Sequence, residues 1–485
     1  MKQGKKLIAL CLVLVVLVGV YAATRTLTAE PEEDEGIAVA ALDRDSLTSL
    51  SWTADGETLS LVKEEDTWSY EADGSFPLNP DVPQNMVEAL SGLTASRTVD
   101  NPEALSEYGL DEPVLTITAT GTDGGETTFA LGDQNEMTDE YYLLCNGDES
   151  RLYLVDSTLY NAFSLGLYDM VEMEPLPDFG TVTALTIAQP SGGLELKYVE
   201  DSSGLYFNSA YHWFLERDGE QLALDASKVS TLNGNITGLS WQSCVAYNAD
   251  EAALTGYGLD DSSAVVVTLT YELTETVETG ETDEDGNAIT EEQTTAYPFV
   301  LRIGSATDEG TYAMLNGSTM VYLIDTETAD ALRYASYSSL RPDTLCDMDW
   351  DTVSRMDVSA DGVDTTISFD VQEVETTDGD GETTTETQPL YTAGGAELDS
   401  DAVEALLGSI AALTVTGQTS SGQEGAELAR FTFRRDGEAL SELTLTLYEY
   451  DAGSCLASFN GESGLLLERS AVDALLTDID TALAE

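Results

Sequence analysis

The chain has 485 residues, of which 42% are hydrophobic, and a formal net charge of -71. This composition is too apolar for a disordered acidic tail, and the length predicts two to four folded domains. Only 19 residues are Lys or Arg, so the chain lacks the basic face that a nucleic acid or an anionic lipid surface requires, and nucleic acid is excluded as a partner. Cationic partners, divalent ions or simple solubility remain as explanations of the acidic surface.

The N-terminal region, 1–36, divides into a basic stub at 1–6, an apolar run at 7–23 and an acidic linker at 24–36. By the positive-inside rule this pattern predicts a transmembrane helix with a cytoplasmic stub. The expected protein is therefore a single-pass cell-membrane protein whose C-terminal ectodomain is extracytoplasmic. At about 1.5 Å per residue the apolar run reaches roughly 25 Å, short of a membrane core of about 30 Å. A cleaved signal peptide therefore stays open as the alternative.

Internal repetition is the strongest pattern in the rest of the chain. The sequence YGLD at 108–111 recurs at 257–260, and YLLCNG at 142–147 is similar to YAMLNG at 312–317. The order is the same in both copies, and Trp68 and Trp213 precede them at matching places. A third, weaker copy lacks YGLD. The pattern predicts three tandem repeats, whose bounds are 37–177, 178–348 and, for the divergent third, 349–485.

Each copy is predicted to be an α+β unit, mostly antiparallel β. In the first copy, alternating apolar and polar residues at 47–52 and 58–62 predict a β-hairpin. Apolar residues three and four apart then predict a helix that packs on the sheet, at 81–93, 226–239 and 400–413. Because Asn-Gly favours the two positive φ angles of a type I′ turn, hairpins are predicted at 146–147, 316–317 and 460–461.

The YGLD element predicts the end of a short helix. Asn101 is suited to the N-cap and Pro102 to the first position, and Gly109, past the end of the helix, would take the left-handed conformation. We therefore expect a structural role for this element in both copies, carried by Tyr108, Gly109, Leu110, Tyr257, Gly258 and Leu259.

The copies differ mainly in long hairpin tips at 274–295 and 373–388, which are rich in Thr, Glu, Asp and Gly and are expected to be solvated, mobile excursions. In the first tip, Glu281, Asp283, Asp285 and Glu292 have the ligand spacing of a calcium loop. An EF-hand loop joins two helices, whereas these flanks predict strands. We therefore expect a hairpin tip and no metal site, with these four residues as weak metal candidates.

The sequence contains no recognisable catalytic motif. It has one histidine, His212, in a strand-like segment, and it lacks GxSxG, HExxH and P-loop patterns. Cys145, Cys244, Cys346 and Cys455 have no CxxC spacing, which excludes zinc and redox motifs, while one or two disulfides and isolated thiols both stay open. We expect that the protein is not an enzyme and binds no cofactor.

The unit formed by Trp68, the helix, YGLD, Leu131-Gly132, Tyr141-Tyr142 and YLVD at 153–156 resembles the family called domain of unknown function 4340. The resemblance covers the first two copies well and the third poorly. It implies a membrane-anchored ectodomain associated with ABC export systems of the gliding-motility type, with a transporter permease as a partner.

It implies no catalytic residues. We therefore expect a non-catalytic extracytoplasmic interaction protein, an auxiliary component of an ABC-type export or cell-envelope complex. The alternative is a cell-wall or ligand-binding module, with calcium dependence through the acidic tips as one form of it.

Overall fold

Alternation of buried and exposed side chains organises most of the chain into antiparallel sheets. The computed structural model describes residues 36–190, 192–217, 219–282, 288–377, 383–420, 425–436 and 440–484. These residues form a two-stranded sheet, an eight-stranded sheet and two nine-stranded sheets. The fold is thus mostly antiparallel β, with four sheets.

The first ten strands form the small sheet and the first large sheet. In chain order they are β1 (Ile37–Ala38), β2 (Leu47–Ala54), β3 (Glu57–Glu64), β4 (Thr67–Tyr70), β5 (Thr94–Ala95), β6 (Arg97–Asp100), β7 (Leu115–Gly121), β8 (Glu126–Asn135), β9 (Glu140–Cys145) and β10 (Arg151–Val155). β1 pairs with β5, and the large sheet has the order β4-β3-β2-β7-β8-β9-β10-β6. Leu50 and Trp52 of β2 are buried, and this face carries the core.

The second large sheet has the order β14-β13-β12-β11-β16-β17-β18-β19-β15. Its strands are β11 (Thr181–Gln189), β12 (Gly192–Tyr198), β13 (Trp213–Arg217), β14 (Glu220–Leu224), β15 (Ser243–Ala246), β16 (Val265–Thr282), β17 (Ala288–Ala306), β18 (Thr311–Leu315) and β19 (Val321–Ile324).

The third large sheet has the order β23-β22-β21-β20-β25-β26-β27-β28-β24. Its strands are β20 (Val353–Ala360), β21 (Val363–Thr377), β22 (Thr383–Ala393), β23 (Ala396–Glu397), β24 (Val415–Gln418), β25 (Glu427–Arg435), β26 (Glu442–Glu449), β27 (Ser454–Phe459) and β28 (Glu462–Glu468).

The second and third large sheets have the same connectivity, and the first differs in having no counterpart of β14 and β23 among the residues described. In all three, the opening central strand carries a register shift at the same place, between Leu47 and Ser49, between Val182 and Ala184, and between Val353 and Arg355. A bulge increases the local twist of a strand pair. The three sheets therefore share one topology and one local irregularity.

Eight α-helices pack against the sheets in the described ranges. They are α1 (Asp81–Ser91), α2 (Thr158–Phe163), α3 (Ala226–Thr237), α4 (Glu251–Tyr257), α5 (Thr326–Arg333), α6 (Tyr337–Leu340), α7 (Ser400–Ala411) and α8 (Arg469–Ala482). Short 3-10 helices lie at Arg44–Ser46, Leu105–Tyr108, Leu167–Met170 and Trp350–Thr352. The side chains of Asp225 and Asp399 accept hydrogen bonds from the first turns of α3 and α7. These caps fix where the two helices begin.

The three predicted helices begin where expected and end two residues early, at Ser91, Thr237 and Ala411. Gly92 and Gly238 follow the first two as C-caps. The apolar pattern continues past the helix end because Leu93 and Leu413 remain buried in the core. Periodicity alone therefore overestimates the helix length.

The two long tips are paired strands over much of their length. β16 and β17 stay in register from Val265 opposite Ile303 out to Glu278 opposite Thr290, and β21 and β22 pair from Ile367 to Thr377. Alternating Thr favours the extended conformation. The described parts of the predicted excursions are therefore solvent-exposed β-ribbons.

The N-terminal transmembrane helix expected from the sequence is not supported by the structure. None of the helices in the described ranges is long and apolar enough to cross a membrane. The longest of them, α8, has 14 residues and buries one face in the hydrophobic core of the third large sheet. A membrane span needs about 20 apolar residues. The apolar run at 7–23 itself lies outside the described residues.

The chain divides into two compact units, which we call unit 1 and unit 2. Unit 1 comprises Met1–Pro175 with Ser243–Tyr247, and unit 2 comprises Leu176–Gln242 with Asn248–Glu485. The bounds 37–177, 178–348 and 349–485 remain a prediction from the repeats. Cys145, Cys244, Cys346 and Cys455 are all free and buried, so of the two alternatives the isolated thiols are correct.

Candidate functional site

The YGLD element is a helix end in both copies. The 3-10 helix ends at Tyr108, Gly109 has φ +68°, and the Leu110 amide donates to the Leu105 carbonyl over 3.0 Å. The helix begins at Leu105, and Asn101 has φ +51°. The predicted N-cap at Asn101 was therefore wrong, because a left-handed residue cannot open a helix.

In the second copy α4 ends at Tyr257, Gly258 has φ +69°, and Leu259 is fully buried. Arg302 of β17 donates from Nε to the Leu259 carbonyl over 3.0 Å and from Nη2 to Asp261 over 2.7 Å. These contacts tie the helix end to the neighbouring strand.

A glycine in the facing strand allows each helix end to dock. A Cβ placed on Gly132 would overlap the Tyr108 carbonyl oxygen, and one on Gly304 would overlap the Tyr257 carbonyl oxygen. Both glycines lie within a register shift, because the pairing of β8 changes between Leu131 and Gln134 and that of β17 between Ile303 and Ala306. The contacts described for the element thus combine close packing with hydrogen bonds within the chain.

The weak metal candidates do not converge in the described part of the chain. Glu281 and Glu292 are exposed, and Glu292 lies opposite Thr276 in the β16–β17 ribbon. Asp283 and Asp285 lie outside the described residues. Within the described ranges, no three His, Cys, Asp or Glu side chains are grouped as a metal site would require.

His212 lies just before β13 and is half-buried. Its Nδ1 is 3.1 Å from the Val199 carbonyl oxygen, and its ring is 5.7 Å from that of Tyr198. Both contacts are with residues at or just after the end of β12.

Unit 2 contains a cleft of about 940 Å³, a volume typical of ligand sites. Its lining residues come from the second and third repeats, at 205–207, 217, 219–222, 336–338, 418, 440 and 459–462. We call this space the cleft. Of these residues, sequence analysis had singled out only the Asn460-Gly461 turn, because the others become neighbours only in the folded chain.

Aromatic rings line one side of the cleft. The rings of Tyr206 and Phe207 are 4.0 Å apart, and Phe207 meets Phe459 edge-on at 5.5 Å. Phe207 is buried in the core of the third sheet. Its carbonyl accepts from the Asp349 amide over 3.0 Å, so the aromatic loop is fixed by backbone as well as by packing. Burial raises the pKa of Tyr206 far above its ordinary value.

Charged groups line the other side, arranged around Tyr337. The guanidinium carbons of Arg217 and Arg341 lie 5.1 and 5.7 Å from the centre of its ring, within the range of a cation–π contact. Arg341, whose side chain is 11% exposed, donates from Nη1 to Glu462 over 2.7 Å. Burial raises the pKa of Tyr337, and Arg341 opposes that rise.

This arrangement is suited to holding a ligand. The titratable side chains lining the cleft are Tyr206, Arg217, Glu220, Tyr337 and Glu462. Glu462 is paired with Arg341, and burial raises the pKa of both tyrosines, which disfavours the phenolate that nucleophilic attack requires.

The family model described as a domain of unknown function, DUF4340, matches residues 68–211 and 213–429. The chain belongs to the DUF4340 family. The match includes both YGLD elements, and it confirms the resemblance drawn from them. The DUF4340 match ends before the Phe459–Glu462 side of the cleft, so that side is a feature of the divergent third repeat.

No curated protein matches the chain. Among solved structures, a binding domain of botulinum neurotoxin DC in complex with SialylT aligns with 88% of this chain and 93% of its own, at 9% identity and a TM-score of 0.08. A TM-score this low shows no shared fold, and this alignment carries no argument about the DUF4340 chain.

Proposed function

We propose that this chain is a non-catalytic interaction protein that works outside the cytoplasm and holds a protein partner of the cell envelope. The observation that carries the proposal is the cleft, which is preformed, lined by aromatic rings and fixed by contacts between the second and third repeats. Clefts of this size that combine apolar walls with a few polar groups are the usual places for binding.

The partner class comes from the family. The resemblance to DUF4340 proteins implies an association with ABC export systems, so a transporter permease is the partner that we propose. We propose this location from the charge pattern of residues 1–36, in which lysines precede the apolar run and carboxylates follow it. A basic segment before an apolar run is also the order of a cleaved signal peptide, so the proposed location does not depend on a transmembrane helix.

Photo-crosslinking in cells tests the partner. A benzophenone amino acid placed at Gln221, which lines the cleft, should crosslink to the permease, identified by mass spectrometry. The same group at Met137, which is 90% exposed in unit 1, is the control and should not give that product. Equal products from both positions, or a cell-wall fragment in place of the permease, would contradict the proposal.

Protease treatment of intact cells tests the location separately. The described part of the chain should be degraded by protease added outside. Complete protection until the cells are lysed would place the chain in the cytoplasm and remove the basis for an envelope partner.

A further inference from the structure

Within the described ranges, no strand pairs with the outer edge of β14, which lines the cleft. β14 is the last strand of the second sheet, and its residues Glu220, Gln221 and Leu222 all line the cleft. The following residues, Ala223 and Leu224, are fully buried. Only the first part of the strand is therefore accessible, and the outward backbone N–H and C=O groups of an edge strand are a template for another strand.

The cleft is also lined by the tight turn Asn460-Gly461 between β27 and β28 and by Gln418 at the end of β24. β24 is itself the last strand of the third sheet. At about 3.3 Å per residue, the three accessible residues of β14 offer an edge of roughly 10 Å. This length pairs with a segment of about three to five residues.

Charge decides which kind of segment fits. Arg217 and Glu220 lie opposite each other in the β13–β14 hairpin, and Arg341 is paired with Glu462, so the charges at the cleft cancel. The field there is then set by the rest of a chain with net charge -71, which attracts cations and repels acidic segments.

We propose that the occupant of the cleft is a basic, extended segment of the partner, which adds a strand to the edge of β14. The inference rests on the proposed function and adds the chemical class of the ligand. Backbone hydrogen bonds to β14 supply part of the affinity, as in other recognition by strand addition. The acidic field of the chain selects positive side chains, and Glu220 keeps the charge of Arg217 from repelling them.

Three synthetic peptides with blocked termini separate these contributions. The probe is acetyl-Val-Lys-Val-Lys-Val-amide carrying a fluorescent label. The second peptide has Glu in place of both Lys, and the third keeps the lysines but is N-methylated at alternate residues. Fluorescence anisotropy with the full-length chain should show binding of the probe and binding at least about tenfold weaker for the other two, because one loses charge complementarity and the other loses backbone donors.

Variants of the chain locate the site. Glu220→Gln should weaken binding of the probe about two- to fivefold, as expected for one exposed charge pair, and Glu220→Asp should restore it. Glu442→Gln is the matched control: Glu442 lies opposite Arg434 in the β25–β26 pair, as Glu220 lies opposite Arg217 in the β13–β14 pair, and it does not line the cleft. This variant should leave binding unchanged.

Three results would overturn the inference: equal binding of the acidic peptide, equal binding of the N-methylated peptide, or an equal loss in Glu220→Gln and Glu442→Gln. If they occur while Gln221 still crosslinks to the permease, the proposed function stands and the ligand class is wrong. If the probe binds as expected but the permease is never captured, the ligand class stands and the proposed partner is wrong.

Discussion

Gly304 should be among the positions of unit 2 least tolerant of a larger side chain. A Cβ at this position would overlap the Tyr257 carbonyl oxygen and approach Leu259 Cγ to 2.9 Å. The first neighbour is backbone and the second side chain is fully buried, so neither can move away cheaply. Gly304→Ala should therefore destabilise unit 2 by about 1–3 kcal/mol, the usual cost of overpacking a core by one methyl group.

Gly256 supplies the matched control from the same motif. It lies inside α4, and a Cβ there would have no neighbour within 4 Å among the described atoms. Gly256→Ala should stabilise the protein by about 0.5–1 kcal/mol, because alanine loses less conformational entropy in a helix than glycine does. Replacement of glycine by alanine is thus predicted to lower the stability of the protein at Gly304 and to raise it at Gly256.

Urea denaturation of the full-length chain measures the difference. The two variants should differ by about 3 kcal/mol, which at an m-value of about 3 kcal/mol/M separates their midpoints by about 1 M. Amide hydrogen exchange in residues 251–262 should rise in Gly304→Ala and not in Gly256→Ala, since opening of the helix end is the expected response. A Gly304→Ala variant as stable as Gly256→Ala would refute the structural role of YGLD as a helix end packed against the facing strand.

Three further predictions concern titration and binding. The Tyr247 hydroxyl donates to Asp73 over 2.7 Å, which raises the pKa of Tyr247 to about 12 from its ordinary value of about 10. This hydrogen bond therefore stabilises the fold below pH 10, and its contribution is lost toward pH 12. The urea midpoints of the wild type and Tyr247→Phe should converge over this range, and a difference that stays constant would contradict the prediction. Burial raises the pKa of Cys346 and raises that of Cys244 to about 11. A thiol reagent at pH 8 should therefore label neither cysteine until urea is added. Labelling of the native chain would show instead that the two thiols are accessible. Calorimetric titration with Ca²⁺ at physiological ionic strength should reveal no site tighter than millimolar, and a micromolar site lost in Asp283→Ala would favour the calcium-dependent alternative.

The sequence by itself determined the features that depend on a few neighbouring residues. The left-handed conformations of Gly109 and Gly258 were predictable because only glycine adopts positive φ at no steric cost. The Asn-Gly turns show the limit of that argument: both residues have positive φ at 146–147 and 460–461, but at 316–317 only Gly317 does. The starts of the three main helices were also correct, and their ends were not, because Leu93 and Leu413 stay in the core after the helix has stopped.

Only the tertiary structure decided the cleft and the extent of the ribbons. The cleft is lined by Tyr206, Arg217, Tyr337 and Phe459, although up to some 250 residues separate them in the sequence. Local conformational preferences carry no information about contacts between residues so far apart. The ribbons were missed because polar Thr and Glu suggest a loop, whereas cross-strand pairing such as that of Thr274 with Thr294 stabilises a strand. Local sequence patterns determine the backbone dihedral angles and the buried face of a single helix or strand. Long-range packing determines which helices and strands contact each other, and the cleft forms between such contacting elements.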